Sequence, residues 1–249
     1  MSIFRLIHNN KFVFLIKKIF RKHPSVYLPP KEAYNKIAKT YNNKSFNLFH
    51  FIDVKIISTE LDNFDLKDKN ILDFGCGTGW KFPILNQYKF NKIYGTDISE
   101  EMLKICKTNY PEVIQLKMNS STLVDYAENQ FDFITCNLVI GYIPNLSSLF
   151  KHWRRMLKPD GIVLISDMAP NLNSNTKKRN FFTEKENIIV DSFSYSPKEV
   201  IDAAISENYN LINQKYWQFT SDDLPQVGEK IYNLFKEQNI SYSVLLKIN

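Results

Sequence analysis

Short apolar runs alternate with stretches of helical period from Asn70 onward. This alternation indicates a parallel β-sheet covered by helices on both faces. Five strands are predicted here, over Asn70–Phe74, Lys92–Thr96, Val113–Met118, Phe131–Cys136 and Ile162–Ser166. The helices predicted between them cover Trp80–Tyr88, a segment that starts after Ser99, and Leu146–Leu157. The pattern therefore predicts a doubly wound α/β domain.

The segment Asn171–Tyr195 shows no clear period and is long for a connection within one domain, so it is predicted to be a lid or a substrate loop. A helix is expected to start directly after it. Ser196 has the position of an N-cap, Pro197 is the first helical residue, and Glu199 follows three residues after the cap.

Two further strands, Leu211–Phe219 and Tyr242–Ile248, are predicted on either side of a helix over Leu224–Gln238. Together these elements predict one catalytic domain over residues 34–249, with insertions near 171–195 and 220–240. A separate arm, residues 1–33, precedes it.

The arm has the pattern of a basic amphipathic helix. Residues 1–31 contain no acid, and their basic residues are Arg5, Lys11, Lys17, Lys18, Arg21, Lys22 and Lys31. The apolar residues that recur at helical spacing are Phe12, Leu15, Ile16, Ile19 and Phe20. The apolar run is too short for a membrane span or a signal peptide. Two interpretations remain open: the stripe packs on the domain, or residues 1–23 bind peripherally to a membrane surface.

Composition changes this picture little. Of 249 residues, 44% are hydrophobic and 23% charged, as in soluble globular proteins. Cys76, Cys106 and Cys136 stand too far apart to predict a disulfide framework or a zinc site, so no metal is predicted and a reducing, cytoplasmic location is expected. The net charge of +6 is spread diffusely, which makes nucleic acid an unlikely partner.

The most informative stretch is the run from Asp73 to Gly79, where an apolar strand meets glycines at positions 75, 77 and 79. Glycines allow the backbone to turn sharply and a ligand to approach the main chain. Asp97 follows the second strand, 22 residues beyond Gly75, where such sheets offer a carboxylate to ribose hydroxyls. Trp80 occupies the position of the last glycine of a dinucleotide fingerprint, which weakens a nicotinamide-cofactor oxidoreductase.

Asp73 points to the same conclusion, because a carboxylate would repel a pyrophosphate but could anchor a cation. S-adenosyl-L-methionine (SAM) carries a sulfonium and an ammonium group and no phosphate. The loop therefore favours SAM over a dinucleotide.

Taken together, several segments resemble class I SAM-dependent methyltransferases of the small-molecule type, the group that includes the ubiquinone and menaquinone methyltransferases. These segments are the Asp73–Gly79 loop, Gly95–Ser99 with Met102 and Leu103, Phe131-Asp132, Leu157–Gly161, and Tyr34–Ala38 with Tyr41. The resemblance covers about residues 34–168. It implies a Rossmann-like, seven-stranded, mostly parallel sheet with an antiparallel last strand, SAM as cofactor, and a small-molecule or lipid-linked acceptor.

The resemblance also implies a set of cofactor-binding residues. In it, Asp73 faces the amino group of the methionine moiety, Asp97 binds the ribose and Ile98 packs on adenine. Asn119 stands where the family has Asp, and its amide oxygen can accept the same hydrogen bond. The full implied set is Tyr34, Tyr41, Asp73, Gly75, Cys76, Gly77, Thr78, Gly79, Asp97, Ile98, Met102, Asn119, Ser120, Asn137 and Leu138.

Methyl transfer is an in-line displacement, so the protein mainly aligns the acceptor and excludes water. Tyr142 and His152 are the candidate catalytic residues. Tyr142 follows strand four at the edge where such sheets bind ligands, and an ordinary buried aromatic is the equal alternative for it. The pattern around His152 favours a surface helix position over a catalytic one. Two alternatives remain: an RNA-directed methyltransferase, and a non-catalytic SAM-binding accessory subunit. Asn137-Leu138-Val139-Ile140 lacks the signature of planar-nitrogen methylation.

Overall fold

The computed structural model describes residues 24–42, 48–116, 118, 128–170 and 178–249. In chain order its helices and strands are β1 Ser25–Tyr27, α1 Pro30–Tyr41, α2 Leu48–Leu61, β2 Asn70–Phe74, α3 Phe82–Leu85, β3 Lys92–Thr96, α4 Glu100–Asn109, β4 Ile114–Gln115, β5 Phe131–Asn137, α5 Leu146–Met156, β6 Leu157–Met168, β7 Lys178–Phe182, β8 Asn187–Asp191, α6 Pro197–Ser206, β9 Tyr209–Trp217, α7 Leu224–Val227, α8 Glu229–Phe235 and β10 Ser241–Ile248.

Seven strands form the main sheet in the spatial order β4-β3-β2-β5-β6-β10-β9. The first five are parallel neighbours, whereas β10 runs antiparallel to both β6 and β9. This arrangement confirms the predicted α/β fold, a Rossmann-like sheet that is mostly parallel with an antiparallel last strand. Strand order reverses between β2 and β5, and ligands of open α/β sheets bind at such a switch point.

Side chains alternate between two buried layers because successive strand residues point to opposite faces. On one face, Leu72 and Phe74 pack with Trp153 of α5 and Val200 of α6. On the other face, Ile71 packs with the helices α2, α3 and α4. Both faces of β2 are covered, which explains why this strand is a near-continuous apolar run in the sequence.

Two predicted helices are shorter than expected. The helix predicted over Trp80–Tyr88 is α3, four residues long, followed by a 3-10 turn that ends at Lys89 in the left-handed region (φ 54°). The helix predicted over Leu224–Gln238 is divided into α7 and α8 by Gly228, whose φ of 79° and ψ of 148° no helix can contain.

The prediction of an irregular loop over Asn171–Tyr195 is wrong for its described part. Residues 178–191 form the hairpin β7–β8, and β1 pairs in parallel with β8 to complete a three-stranded sheet. Ile188 and Val190 of β8 are fully buried beside Ile37 of α1. The sequence pattern did not predict this hairpin because each of its two strands has only five residues. The third strand of the sheet, β1, precedes β8 by about 160 residues. Residues 171–177 lie outside the described residues.

Residues 24–33 of the predicted arm belong to this same small sheet and to α1, so they pack against the domain. The amphipathic segment 1–23 lies outside the described residues. Among the helices within the described ranges, none is long and apolar enough to cross a bilayer.

Candidate functional site

The glycine loop after β2 is fixed to the end of β3 by its backbone. Gly75 and Cys76 both donate their N–H groups to the carbonyl of Thr96, each at 2.8 Å. Gly75 adopts a φ of +76°, and a Cβ there would lie 2.3 Å from Cγ2 of Val139. Glycine is therefore required at this position for both backbone conformation and space.

Asp97 holds the loop from the neighbouring strand end. Its carboxylate accepts hydrogen bonds from the N–H of Gly77 at 2.9 Å and from the N–H of Ser99 at 2.8 Å. Desolvation at the floor of the cleft raises the pKa of Asp97 to about 6. The group is therefore mostly ionised at neutral pH, and each oxygen retains a lone pair for a further donor.

A cleft of about 690 Å³, measured with its open mouth, lies at the switch point above this loop. The lining residues are Pro30, Tyr34, Tyr41, Phe74, Gly75, Gly77, Trp80, Asp97, Ile98, Met102, Met118, Asn137, Leu138, Val139, Tyr142 and Ile143. Polar groups thus concentrate at the loop end and apolar and aromatic groups elsewhere.

Leu138 lies between these two parts of the cleft. It occupies the left-handed region with a φ of +61°, which is rare for a residue with a branched side chain. Its N–H donates to the carbonyl of Ser166 at 2.8 Å, and its own carbonyl accepts from Arg179 at 2.6 Å. Such strain persists where surrounding contacts enforce it, and it concentrates at functional sites.

Three tyrosines meet in the lining of the cleft. The hydroxyls of Tyr34 and Tyr142 share a hydrogen bond of 2.9 Å, and the ring of Tyr41 lies 6.1 Å from that of Tyr34. Phe181 of the hairpin packs on Tyr34 at 5.2 Å. Burial raises the pKa of Tyr142, so its phenol is a hydrogen-bond donor at neutral pH.

Arg179 of β7 attaches the hairpin to this cluster. Its guanidinium lies 4.5 Å from the ring centroid of Tyr142 and makes hydrogen bonds of 2.6 and 2.8 Å to the carboxylate of Asp167. The carboxylate of Asp167 also accepts from the N–H groups of Gly141, at 2.9 Å, and Met168, at 2.7 Å. The small sheet is therefore anchored beside Tyr142 by a nearly buried ion pair.

A second buried ion pair lies beneath the glycine loop, between Asp73 and Lys81. Both side chains are at most 1% exposed, and the Lys81 ammonium also donates to the amide oxygen of Asn137 at 3.1 Å. The hydroxyl of Thr135 donates to Asp73 at 3.2 Å. The sequence suggested that Asp73 anchors a cation of the cofactor. In the structure the cation beside it is Lys81, and Asp73 is not among the residues that line the cleft.

The structure brings ten of the sequence-predicted site residues together around the cleft. They are Tyr34, Tyr41, Gly75, Gly77, Asp97, Ile98, Met102, Asn137, Leu138 and Tyr142. Cys76 is buried in the core, Thr78 donates to Asn42 at 2.8 Å, and Gly79 abuts Tyr110 and Phe82. These three support the loop from behind. Asn119 and Ser120 lie outside the described residues, so their role stays a prediction.

His152 requires a correction, because the surface position expected for it is not observed. It is only 9% exposed within α5, whose apolar face carries Phe150 and Trp153 onto the sheet. His152 does not line the cleft, so the geometry gives no support to its role as a catalytic base. Burial of the helix face, rather than reaction chemistry, explains its environment.

Sequence reasoning missed several cleft residues. Trp80, whose ring stacks on His50 at 4.2 Å, forms one wall, and Val139 and Ile143 form another. Met118 could have been found, since it ends the predicted third strand. No signal marked Lys81 as buried, because a single lysine is usually solvated.

Comparison with known proteins agrees with this geometry. Residues 72–165 match the methyltransferase domain family. An uncharacterized protein of Methanocaldococcus jannaschii, MJ1252, is 28% identical over 85% of this chain and 87% of its own length. A demethylmenaquinone methyltransferase of Leptospira interrogans is 29% identical over 56% of this chain and 60% of its own length. The chain thus spans less than two thirds of that enzyme.

The fold has solved counterparts as well. The crystal structure of a SAM-dependent methyltransferase from Clostridium acetobutylicum superimposes with a TM-score of 0.62 at 16% identity. The superposition covers 87% of this chain and 99% of the other. At this identity the likeness concerns the fold.

Proposed function

Since the chain is a class I SAM-dependent methyltransferase with SAM as its cofactor, we propose that it transfers the SAM methyl group to an oxygen, nitrogen or carbon of a small-molecule or lipid-linked acceptor. The observation that carries this proposal is that the lining of one cleft has two parts, the glycine loop with Asp97 and a set of tyrosine and aliphatic side chains.

The residues of the first part fit SAM. The Asp97 carboxylate has lone pairs left for the ribose hydroxyls, beyond those used by Gly77 and Ser99. A Cβ at Gly77 would meet no atom of the chain within 4 Å, so the main chain there is open to a ligand. Ile98, Met102 and Met118 offer apolar contact to adenine.

The methionine moiety would lie along Gly75 toward Asn137 and Leu138. Asp73 and the amide oxygen of Asn137 are both bonded to the Lys81 ammonium, so the geometry assigns neither of them to the SAM ammonium. When bound, SAM supplies an activated methyl group on a sulfonium. The chain's own task is to align the acceptor and exclude water.

The aromatic part of the cleft would hold the acceptor. Tyr34, Tyr142 and Ile143 present a mainly apolar surface with two phenol hydroxyls, which suits a flat or chain-bearing molecule with one polar atom. Tyr142 keeps its proton at neutral pH because burial raises its pKa. It can therefore orient an acceptor oxygen by donating a hydrogen bond, and its role as a base stays a prediction. The demethylmenaquinone relative supports an aromatic acceptor.

We expect the chain to bind SAM and its demethylated product, S-adenosylhomocysteine, but not NAD. The physical reason is that Trp80 occupies the position where a dinucleotide-binding loop has its last glycine. Isothermal titration calorimetry with the three ligands measures this. NAD binding without any response to SAM would contradict the cofactor assignment.

A screen with methyl-labelled SAM then tests the acceptor. Quinols, catechols and acyl thioesters represent the small-molecule and lipid-linked classes, and transfer RNA serves as the competing class. Label transfer to the first group supports the proposal, whereas transfer to RNA alone would replace it with an RNA-directed methyltransferase.

We further propose that residues 1–23 hold the enzyme at an anionic membrane, near a lipid-linked acceptor. Basic residues near such a surface contribute about 1 kcal/mol each, and the apolar stripe with Phe12, Ile16 and Phe20 adds burial. Since β1 starts at Ser25, a chain that lacks residues 1–23 keeps every described element. Full-length protein is expected to sediment with anionic liposomes at low salt and to be released at high salt.

The truncated chain is the matched control, and neutral liposomes are the second. Equal, negligible sedimentation of both proteins would contradict membrane binding. A lower melting temperature of the truncated chain would instead indicate that the stripe packs on the domain.

A further inference from the structure

The part of the cleft wall that follows β5 is held from behind by the β7–β8 hairpin. Arg179 of β7 donates to the carbonyl of Leu138 at 2.6 Å, and its guanidinium lies 4.5 Å from the ring centroid of Tyr142. Leu138 and Tyr142 line the cleft, whereas Arg179 is not among the lining residues. A single side chain of the hairpin therefore supports two residues of the cleft wall.

Gly141 brings this support against the main chain of the wall. A Cβ at Gly141 would lie 2.6 Å from a guanidinium nitrogen of Arg179 and 3.1 Å from the carboxylate of Asp167. The Asp167 carboxylate accepts from the N–H of Gly141 at 2.9 Å, and the carbonyl of Gly141 accepts from the N–H of Phe193 at 2.7 Å. The backbone directly before Tyr142 is thus fixed from two sides.

The hydroxyls of Tyr34 and Tyr142 together have one proton more than the protein uses. Each phenol has a single proton, and the hydrogen bond of 2.9 Å between them uses one of the two. Burial raises the pKa of both phenols, so both keep their protons at neutral pH. Whichever hydroxyl donates, the described residues supply no acceptor for the other proton. Because both tyrosines line the cleft, this proton is available to a bound molecule.

Arginine is the side chain that can make all the contacts behind Tyr142 at once. Different nitrogens of its planar guanidinium bond the carbonyl of Leu138 and the carboxylate of Asp167, while the plane packs on the tyrosine ring. A nearly buried ion pair is weak evidence for stability, since apolar residues of similar volume often stabilise a fold equally well. The contacts of Arg179 with the cleft wall therefore suggest a role in the site itself.

We propose that Arg179 is a positioning residue for the methyl acceptor, which holds Tyr142 so that the tyrosine pair donates its unused proton to an oxygen or nitrogen of that molecule. The inference rests on the proposed function, in which Tyr142 orients the methyl acceptor. It gives the β7–β8 hairpin a part in specificity, because a molecule without a hydrogen-bonding atom at that point loses the contact.

Arg179→Lys tests the proposal. Lysine keeps a positive charge for Asp167, but it has a single nitrogen and no planar group to pack on Tyr142. Label transfer from methyl-labelled SAM to the quinols, catechols and acyl thioesters of the screen gives kcat and KM. We expect kcat/KM for the methyl acceptor to fall about 10-fold, the effect of misplacing one hydrogen bond. SAM affinity should stay within about twofold of wild type, because Asp97 and the glycine loop are untouched.

A double-mutant cycle separates positioning through Tyr142 from general destabilisation. Tyr142→Phe removes the hydroxyl and should lower kcat/KM by at least the same factor as Arg179→Lys. Adding Arg179→Lys to Tyr142→Phe should then cause little further loss, because both substitutions remove the same contact. Two losses that multiply would indicate that Arg179 does not act through Tyr142.

Glu186→Gln is the matched control. It removes an ion pair of 2.6 Å with Lys36 that also ties the hairpin to α1, and neither of these residues lines the cleft. Its kcat/KM should equal that of wild type. Asp167→Asn is a second test, because it removes the charge that holds Arg179 but keeps an oxygen for the N–H of Gly141, and it should lower kcat/KM in the same direction. Circular dichroism and melting temperature report whether each variant is folded.

Wild-type kcat/KM in a folded Arg179→Lys variant, multiplying losses in the cycle, or an equal loss in Glu186→Gln would overturn the inference alone. Absence of label transfer from wild type to every methyl acceptor of the screen would overturn the proposed function together with the inference.

Discussion

Replacing Lys81 by methionine is expected to lower the free energy of unfolding by about 3–5 kcal/mol, the range for breaking a buried ion pair from one side. The substitution keeps the length of the side chain but leaves the fully buried Asp73 without its cation. Thr135 would remain its hydrogen-bond partner, at 3.2 Å. Chemical denaturation of wild type and variant at pH 7 measures the difference.

The effect should shrink in acid. Burial already raises the pKa of Asp73, and Lys81 opposes that rise, so loss of Lys81 raises the pKa further. Above about pH 4, Asp73 is ionised in the unfolded chain but still protonated in the folded variant, so unfolding of the variant releases a proton. The stability of the variant relative to wild type therefore falls as pH rises.

The control is Lys198→Met, which removes the lysine of an exposed ion pair with Asp202 and should cost under about 1 kcal/mol. Equal, small losses in both variants would contradict a structural role of the buried pair.

Asp97→Ala is expected to weaken SAM binding by about 1.5–3 kcal/mol, the range for a lost hydrogen bond to a charged group. This corresponds to roughly 10- to 150-fold in the dissociation constant. The substitution also removes the acceptor for the N–H groups of Gly77 and Ser99, so the glycine loop loses part of its support. Calorimetry reports affinity, and a thermal melt reports the fold.

The matched control for this variant is Asp160→Ala. It removes an exposed acid that forms a salt bridge with Lys247. Its SAM affinity should equal that of wild type. If Asp97→Ala melts well below wild type yet binds SAM normally, Asp97 is a structural residue and the ribose contact is wrong.

The parts of the site that the sequence revealed are those encoded within a few residues. Strand β2 begins and ends as predicted, at Asn70 and Phe74, and the glycines that follow have the expected positive φ angles. Ser196 and Glu199 form the predicted capping box. In each case the signal and the structure that it specifies lie in the same short segment, so no knowledge of tertiary contacts is needed.

The parts that the sequence did not reveal depend on pairings across long separations. Asp53 and Ser166 are 113 residues apart, and β1 pairs with β8 across about 160 residues. Neither charge nor apolar spacing marks such partners in advance. Nothing in the local sequence marks Lys81 or Arg179 as buried, yet each is nearly buried against an acid. Buried ion pairs are therefore the feature of this site that pattern alone does not predict.

The small sheet formed by β1, β7 and β8 has a consequence for how this enzyme could change its acceptor during evolution. The residues assigned to SAM come from the glycine loop, from Asp97 and from the ends of neighbouring strands, whereas the roof over the acceptor includes Tyr34 of α1 and the β7–β8 hairpin, which packs on it through Phe181. The two parts share few backbone segments. Mutations in the roof can therefore accumulate without loss of cofactor affinity, which leaves the enzyme free to acquire new acceptors while its methyl donor stays the same.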